Sequence, residues 1–189
     1  MNNVTKFVFA LIVIPLIALS CDPAKEFKTE LDDIDAHLVH LDSLENLLDG
    51  IDFDSLTIMV EHVKSNEAEI KELYTPDTLN ETFGRQMNDC KAIRKNLGNV
   101  GKDESLYGDE LNAIKHQFLD LKDDIKNGVL SKEQITEYVA VEKAAMDKVS
   151  LSFGSFYNMV SAERYRYHVV VPKVDAFIAE LKTKNDELD

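Results

Sequence analysis

Tryptophan is absent from this 189-residue chain, and cysteine, proline and glycine are few, at two, four and seven. Two cysteines allow one disulfide at most, so no disulfide framework can carry the fold. Basic residues are also scarce. Twenty-one Lys and Arg stand against 35 Asp and Glu, a formal charge of −14. Such a surface repels phosphate backbones and argues against nucleic-acid binding. It suits solubility beside an anionic membrane, or a basic partner. The N-terminal apolar run FVFALIVIPLIAL (7–19) is thirteen residues long and contains Pro15. A spanning helix needs about 20 apolar residues.

Catalytic signatures are missing as well. There is no nucleophile elbow and no glycine-rich phosphate loop. Di-iron bundles require Glu-x-x-His, but the residues three before the five histidines are Ile34, His37, Met59, Ala113 and Tyr165. Paired carboxylates such as Asp32-Asp33 and Asp123-Asp124 fall on helix surfaces, where the pattern offers no burial to tune them for acid–base work. The expectation is a non-enzymatic chain without a cofactor. His37-x-x-His40 is the one metal candidate, a three-residue spacing that puts both rings on one side of a helix. No second ligand cluster lies nearby in the sequence, so solvated flank residues are the simpler reading.

What the chain does have is helical periodicity. Phe27, Leu31, Ile34, Leu38, Leu41, Leu44, Leu48 and Ile51 recur at spacings of three and four, with acids on the other faces. Asp54 or Ser55 can cap a second helix carrying Leu56, Val60, Val63, Ile70 and Leu73, which stops before Pro76. A third carries Leu79, Phe83, Met87, Cys90, Ile93 and Leu97, ending at LGNVGKD with two glycines available for C-capping. The fourth runs on Tyr107, Leu111, Ile114, Phe118, Leu121 and Ile125 to Gly128. Ser131-Lys-Glu-Gln134 reads as a capping box, followed by Ile135, Tyr138, Ala145, Val149, Phe153 and Phe156. ERYRYHVVVP (163–172) has a strand-like alternation but no partner strand, and reads as helix kinked or broken near Pro172. A last stripe holds Val174, Phe177, Ile178, Leu181 and Leu188.

The fold class is therefore all-α. An antiparallel bundle of five or six helices is expected, either compact or elongated with a long kinked C-terminal helix. Cys90 shares the face of Phe83, Met87 and Ile93 and is expected to be a buried hydrophobe.

Leu16–Cys21, LIALSC, raises a different matter. MNNVTK and the run after it match the charged start and apolar core of a signal peptide. Ala18 and Ser20 fit the small-x-small rule for a cut between Ser20 and Cys21. The segment Ala18-Leu19-Ser20-Cys21 also resembles the lipobox of bacterial lipoproteins, although Leu19 departs from its tightest form. That resemblance implies a diacylglycerol thioether on Cys21, which becomes an acylated N-terminus. Two or more acyl chains anchor stably. If the cysteine is acylated, Cys90 has no partner. Ordinary secretion would leave a Cys21–Cys90 disulfide open.

The expected organisation is thus a signal peptide over 1–20, a short tether over 21–26 and one bundle over 27–189. Removing 1–20 takes away one lysine and no acid, moving the charge from −14 to −15. The chain resembles small helical lipoproteins of Gram-negative bacteria, which implies the cell envelope and a membrane held through the lipid. Asp22 resembles an inner-membrane retention signal of enteric bacteria, a rule that does not transfer across lineages, and the outer membrane is preferred. The most partner-like segment is aromatic and least acidic. Phe156, Tyr157, Arg164, Tyr165, Arg166 and Tyr167 form a candidate contact for an envelope protein, Tyr and Arg being the types that dominate interface hot spots. The competing reading has the aromatics packing one end of the bundle, and the arginines pairing with acids of the N-terminal helix. The role otherwise open is a ligand or metal carrier in the same compartment.

Overall fold

A computed structural model describes residues 23–74 and 80–186. The expected signal segment, Ser20, Cys21, Pro76, Leu79 and Leu188 lie outside the described residues. Among the described residues the chain is all-α: α1 Pro23–Glu26, α2 Lys28–Asp49, α3 Phe53–Leu73, α4 Glu81–Leu97, α5 Val100–Lys126 and α6 Lys132–Asp186.

The six elements form three columns rather than six packed antiparallel helices. Lys122 pairs with Asp35, and Lys115 with Asp42 and Glu45, so α5 runs antiparallel to α2. Phe53 stacks on Phe156, His62 meets Tyr167 and Tyr74 meets Phe177, so α3 runs parallel to α6. Asn96 reaches Glu163 while Phe83 reaches Phe177, so α4 runs antiparallel to α6. α2 and α3 therefore continue one another along the axis, and so do α4 and α5. At about 1.5 Å per residue, the 55 residues of α6 span roughly 80 Å, the length of the rod.

The expected elongated bundle with a long C-terminal helix is present, and its antiparallel neighbours are joined by the α3–α4 and α5–α6 links, while the α2–α3 and α4–α5 links run straight on. The reason lies in the backbone of the links. Gly50 (φ −76°) and Gly98 (φ −66°) both stay in the right-handed helical region, so the chain barely changes direction there. Gly98 is required for closeness instead: a Cβ on it would sit 2.7 Å from the Arg94 carbonyl oxygen. The chain reverses between α3 and α4, and again at Gly128, whose φ of 66° is left-handed. There Gly128 N–H donates to Ile125 and Val129 N–H to Asp124, a Schellman close to α5.

Other boundaries follow from specific groups. Asp52, not Asp54 or Ser55, caps α3, accepting from Ser55 N–H at 2.9 Å. Asn80 caps α4 through the N–H groups of Thr82 and Phe83. Ser131 and Gln134 form the expected reciprocal box, at 2.9 and 3.3 Å. α5 starts at Val100, so the KDES segment is helical rather than loop. α6 also passes Pro172 unbroken. Proline removes one backbone bond, but Pro172 faces solvent while Val171 and Val174 are buried, so water can serve the freed carbonyl. Residues 23–26 are not extended tether. They form a helical turn against the α5–α6 turn, where a Cβ on Gly128 would lie 3.2 Å from Pro23 Cγ.

The core runs the length of the rod. Every residue of the first stripe is buried except Leu38, which is half-buried. In α6 the expected Tyr138 is exposed. The α2–α3 column is interrupted level with Phe156, where Phe53, Tyr107, Phe153, Phe156 and Tyr157 fill a waist with ring centroids 5.0–6.5 Å apart; the α4–α5 break lies further along α6, near Glu163, which Asn96 reaches.

Candidate functional site

The six candidate contact residues divide by helix phase. Phe156 is 7% exposed and packs between Phe53 and Tyr107, so it is core and cannot meet a partner. Tyr157 is half-buried against Phe153. Arg166 Nη1 binds both Glu163 carboxylate oxygens at 2.5 Å, and its Nε lies 3.5 Å from Asp89. Its acids thus come from α6 and α4, not from the N-terminal helix. Tyr167 is half-buried and turned inward to α3. Arg164 and Tyr165 are exposed, Tyr165 at 72%. The surface left for contact is that pair.

The inward residues build polar clusters that the periodicity did not name. Tyr167 Oη lies 2.7 Å from His62 Nδ1. His62 Nε2 lies 3.2 Å from Asp175 Oδ1, which also accepts from Asn66 Nδ2 at 2.6 Å. With the ring proton on Nε2 facing the carboxylate, Nδ1 accepts the Tyr167 hydroxyl; the tautomer is assigned from this network. Burial, and then the charge of Asp175, push the Tyr167 phenol above its ordinary value, so it remains a protonated donor. One turn nearer the waist, Asn96 Nδ2 donates to the buried Glu163 at 2.7 Å. Asn66 and Glu163 both occupy apolar seam positions, Asn66 between Val63 and Ile70. A polar residue in a seam was the available signal.

Beside the first cluster, His62, Asn66, Glu69, Asp175, Ile178 and Lys182 line an open recess of about 250 Å³ between α3 and α6. Lys182 pairs with Glu69 across it. Its lining sets Glu69 and Asp175 against Lys182, an excess of one negative charge that disfavours an anion.

Comparisons with family models, curated proteins and solved structures gave no match to this chain.

His37 and His40 engage different helices. His37 is half-buried and stacks on Phe118 of α5 at 5.3 Å, while His40 Nε2 lies 3.3 Å from Ser150 Oγ of α6. The expectation of two solvated flanks holds for His40 alone. Among the described residues no three His, Cys, Asp or Glu side chains are grouped to hold a metal ion.

Cys90 is fully buried, as its register requires. Burial, followed by the charges of Glu67, Asp89 and Asp175, pushes its thiol from 9.0 up to about 11. The thiolate is the reactive form, so this sulfur is inert at neutral pH. The unfolded thiol ionises first, so the folded state loses stability as pH rises from about 9 to about 11. The urea midpoint of the wild type is expected to fall more over that window than that of Cys90→Ala. Equal falls would show that the thiol is hydrated.

Proposed function

We propose that this chain is a lipid-anchored protein of the bacterial cell envelope, and that it acts as a non-enzymatic rod for interaction or structural support. One observation carries the reading. The lipobox-like Cys21 lies two residues before Pro23, and α1 packs against the Gly128 turn at one extreme of the rod. A lipid on Cys21 would hold the rod by its end, not by its side. The first twenty residues support export, and among the described residues no helix is long and apolar enough to cross a membrane. A protein partner would meet the rod where Arg164 and Tyr165 are exposed, some 50 Å along α6 from Lys132 at about 1.5 Å per residue. The outer membrane is the preferred site.

Metabolic labelling with radioactive palmitate tests the anchor. The wild type is expected to take label and to sediment with membranes, and Cys21→Ala to do neither. An unlabelled wild type would overturn the reading. The recess beside His62 favours a second reading, a carrier of a small polar ligand. Native mass spectrometry of the purified chain would then show a stoichiometric adduct that is lost in Asp175→Ala.

A further inference from the structure

We infer that the outward face of α6 binds a second copy of this chain, antiparallel and about a two-fold axis. The face is unusual for this protein. Thirty per cent of the chain is charged, yet residues 149–162 carry no charge, and the outward positions from Leu151 to Ala179 have neither acid nor base. Those positions recur at three and four residues, the spacing of a two-helix seam, on the side of α6 opposite the core seam. Leu151 and Tyr165, at 75% and 72%, are the two most exposed large apolar side chains among the described residues, and both lie in this seam.

Charge chooses the occupant. A chain of net charge −14 meets itself with acid against acid on most faces, and such juxtapositions cost several kcal/mol. The outward face of α6 is where two copies can approach without that cost. A basic partner would find no carboxylate in that seam between Leu151 and Ala179, since Glu163 is buried and Asp175 is held by His62 and Asn66.

Size and charge also choose the direction. Centred near Phe156, an antiparallel pair sets Leu151 opposite Ala162 and Val169 opposite Ala144, each large side chain against a small one. The single acid within the seam, Asp147, then faces the Tyr165 hydroxyl. On one flank Glu137 meets Lys173. A parallel pair would instead set Asp147 against Asp147 and Tyr165 against Tyr165. A two-fold contact buries the same patch on both subunits, so each of these pairs occurs twice. From Ala140 to Ala176 the seam covers about 54 Å of helix. The inference does not rest on acylation of Cys21; with both copies acylated and held by their ends, the pair would join two facing membrane surfaces rather than stand on one. Paired this way, the two copies place their α1 turns at opposite ends of the assembly.

The test uses the full chain in density-matched detergent. Sedimentation at tens of micromolar is expected to give a dimer, and Ala162→Lys a monomer with unchanged helicity, since Ala162 faces solvent in the single chain. Under mild oxidation, Leu151→Cys with Ala162→Cys is expected to form a disulfide-linked dimer, and Leu151→Cys alone to form none. A wild type that stays monomeric at about 100 µM would overturn the inference. So would an Ala162→Lys variant that remains dimeric, or crosslinking by Leu151→Cys alone, the mark of a parallel pair.

Discussion

Glu163→Ala is expected to lower stability by about 1–3 kcal/mol, the cost of leaving the part-buried Asn96 donor without an acceptor, since the Arg166 side chain is 35% exposed and stays hydrated. Glu163 is 3% exposed and has no water to replace what it holds. Its carboxylate takes the Arg166 guanidinium on both oxygens and the Asn96 amide on one. Without it, Arg166 keeps only Asp89 at 3.5 Å, and the Asn96 amide loses its acceptor. Glu163→Gln keeps the bond from Asn96 and removes only the charge, so it should fall between the wild type and alanine. Replacing Asn96, Glu163 and Arg166 together with apolar residues of similar size should recover much of the loss, since buried ion pairs seldom exceed good packing. Urea unfolding followed by circular dichroism measures all three. A loss under about 1 kcal/mol for Glu163→Ala would mean that the carboxylate is hydrated and the network is peripheral.

Phe153→Ala should match or exceed that effect, at about 3–5 kcal/mol, from lost burial and the cavity left behind. The ring is 1% exposed and touches Tyr107, Phe156 and Tyr157. Its position makes the cavity hard to close. At this level α2 has ended and α3 is beginning, so the neighbours on that side have little freedom to move inward together. The halves of the rod on either side meet through α6, the start of α5 and these rings. Thermal unfolding of Phe153→Ala is expected to broaden as well as shift, because the coupling between the halves weakens. A variant with the wild-type midpoint and width would show that the waist is already loosely packed.

Much of the fold was legible because helix burial follows spacing. Phe27 to Ile51 could be assigned to one face by counting threes and fours. The Ser131–Gln134 box could be read because it needs only side chains that reach their own helix end. The path of the chain was not legible. Gly50, Gly98 and Gly128 look alike in a sequence, but only the last takes a left-handed φ, and only it reverses the chain. Pro172 reads as a break in the sequence, yet its cost depends on which side of the helix it faces, and tertiary packing fixes that side. Residue type alone marks Phe156, Tyr157, Arg164, Tyr165, Arg166 and Tyr167 as contact candidates, and it carries no information on helix phase. Once α6 is one uninterrupted helix, phase alone puts Phe156, Val160, Glu163 and Tyr167 inward and leaves Tyr165 outside. The partners of Arg166 were beyond reach because Asp89 lies 77 positions away in sequence.

The three-column path also decides how the molecule carries tension. The chain rises through α2 and α3, returns through α4 and α5, and rises again through α6, so Pro23 and Asp186 lie at opposite ends of the rod. A pull between those points cannot peel one helix turn from its neighbour at a time. It must slide whole columns past each other, loading the rows of seam side chains together, in shear. Forced unfolding is governed by the rate of crossing that barrier rather than by equilibrium stability. A strap stitched along its whole length fails later than one opened from a corner, and this chain is stitched.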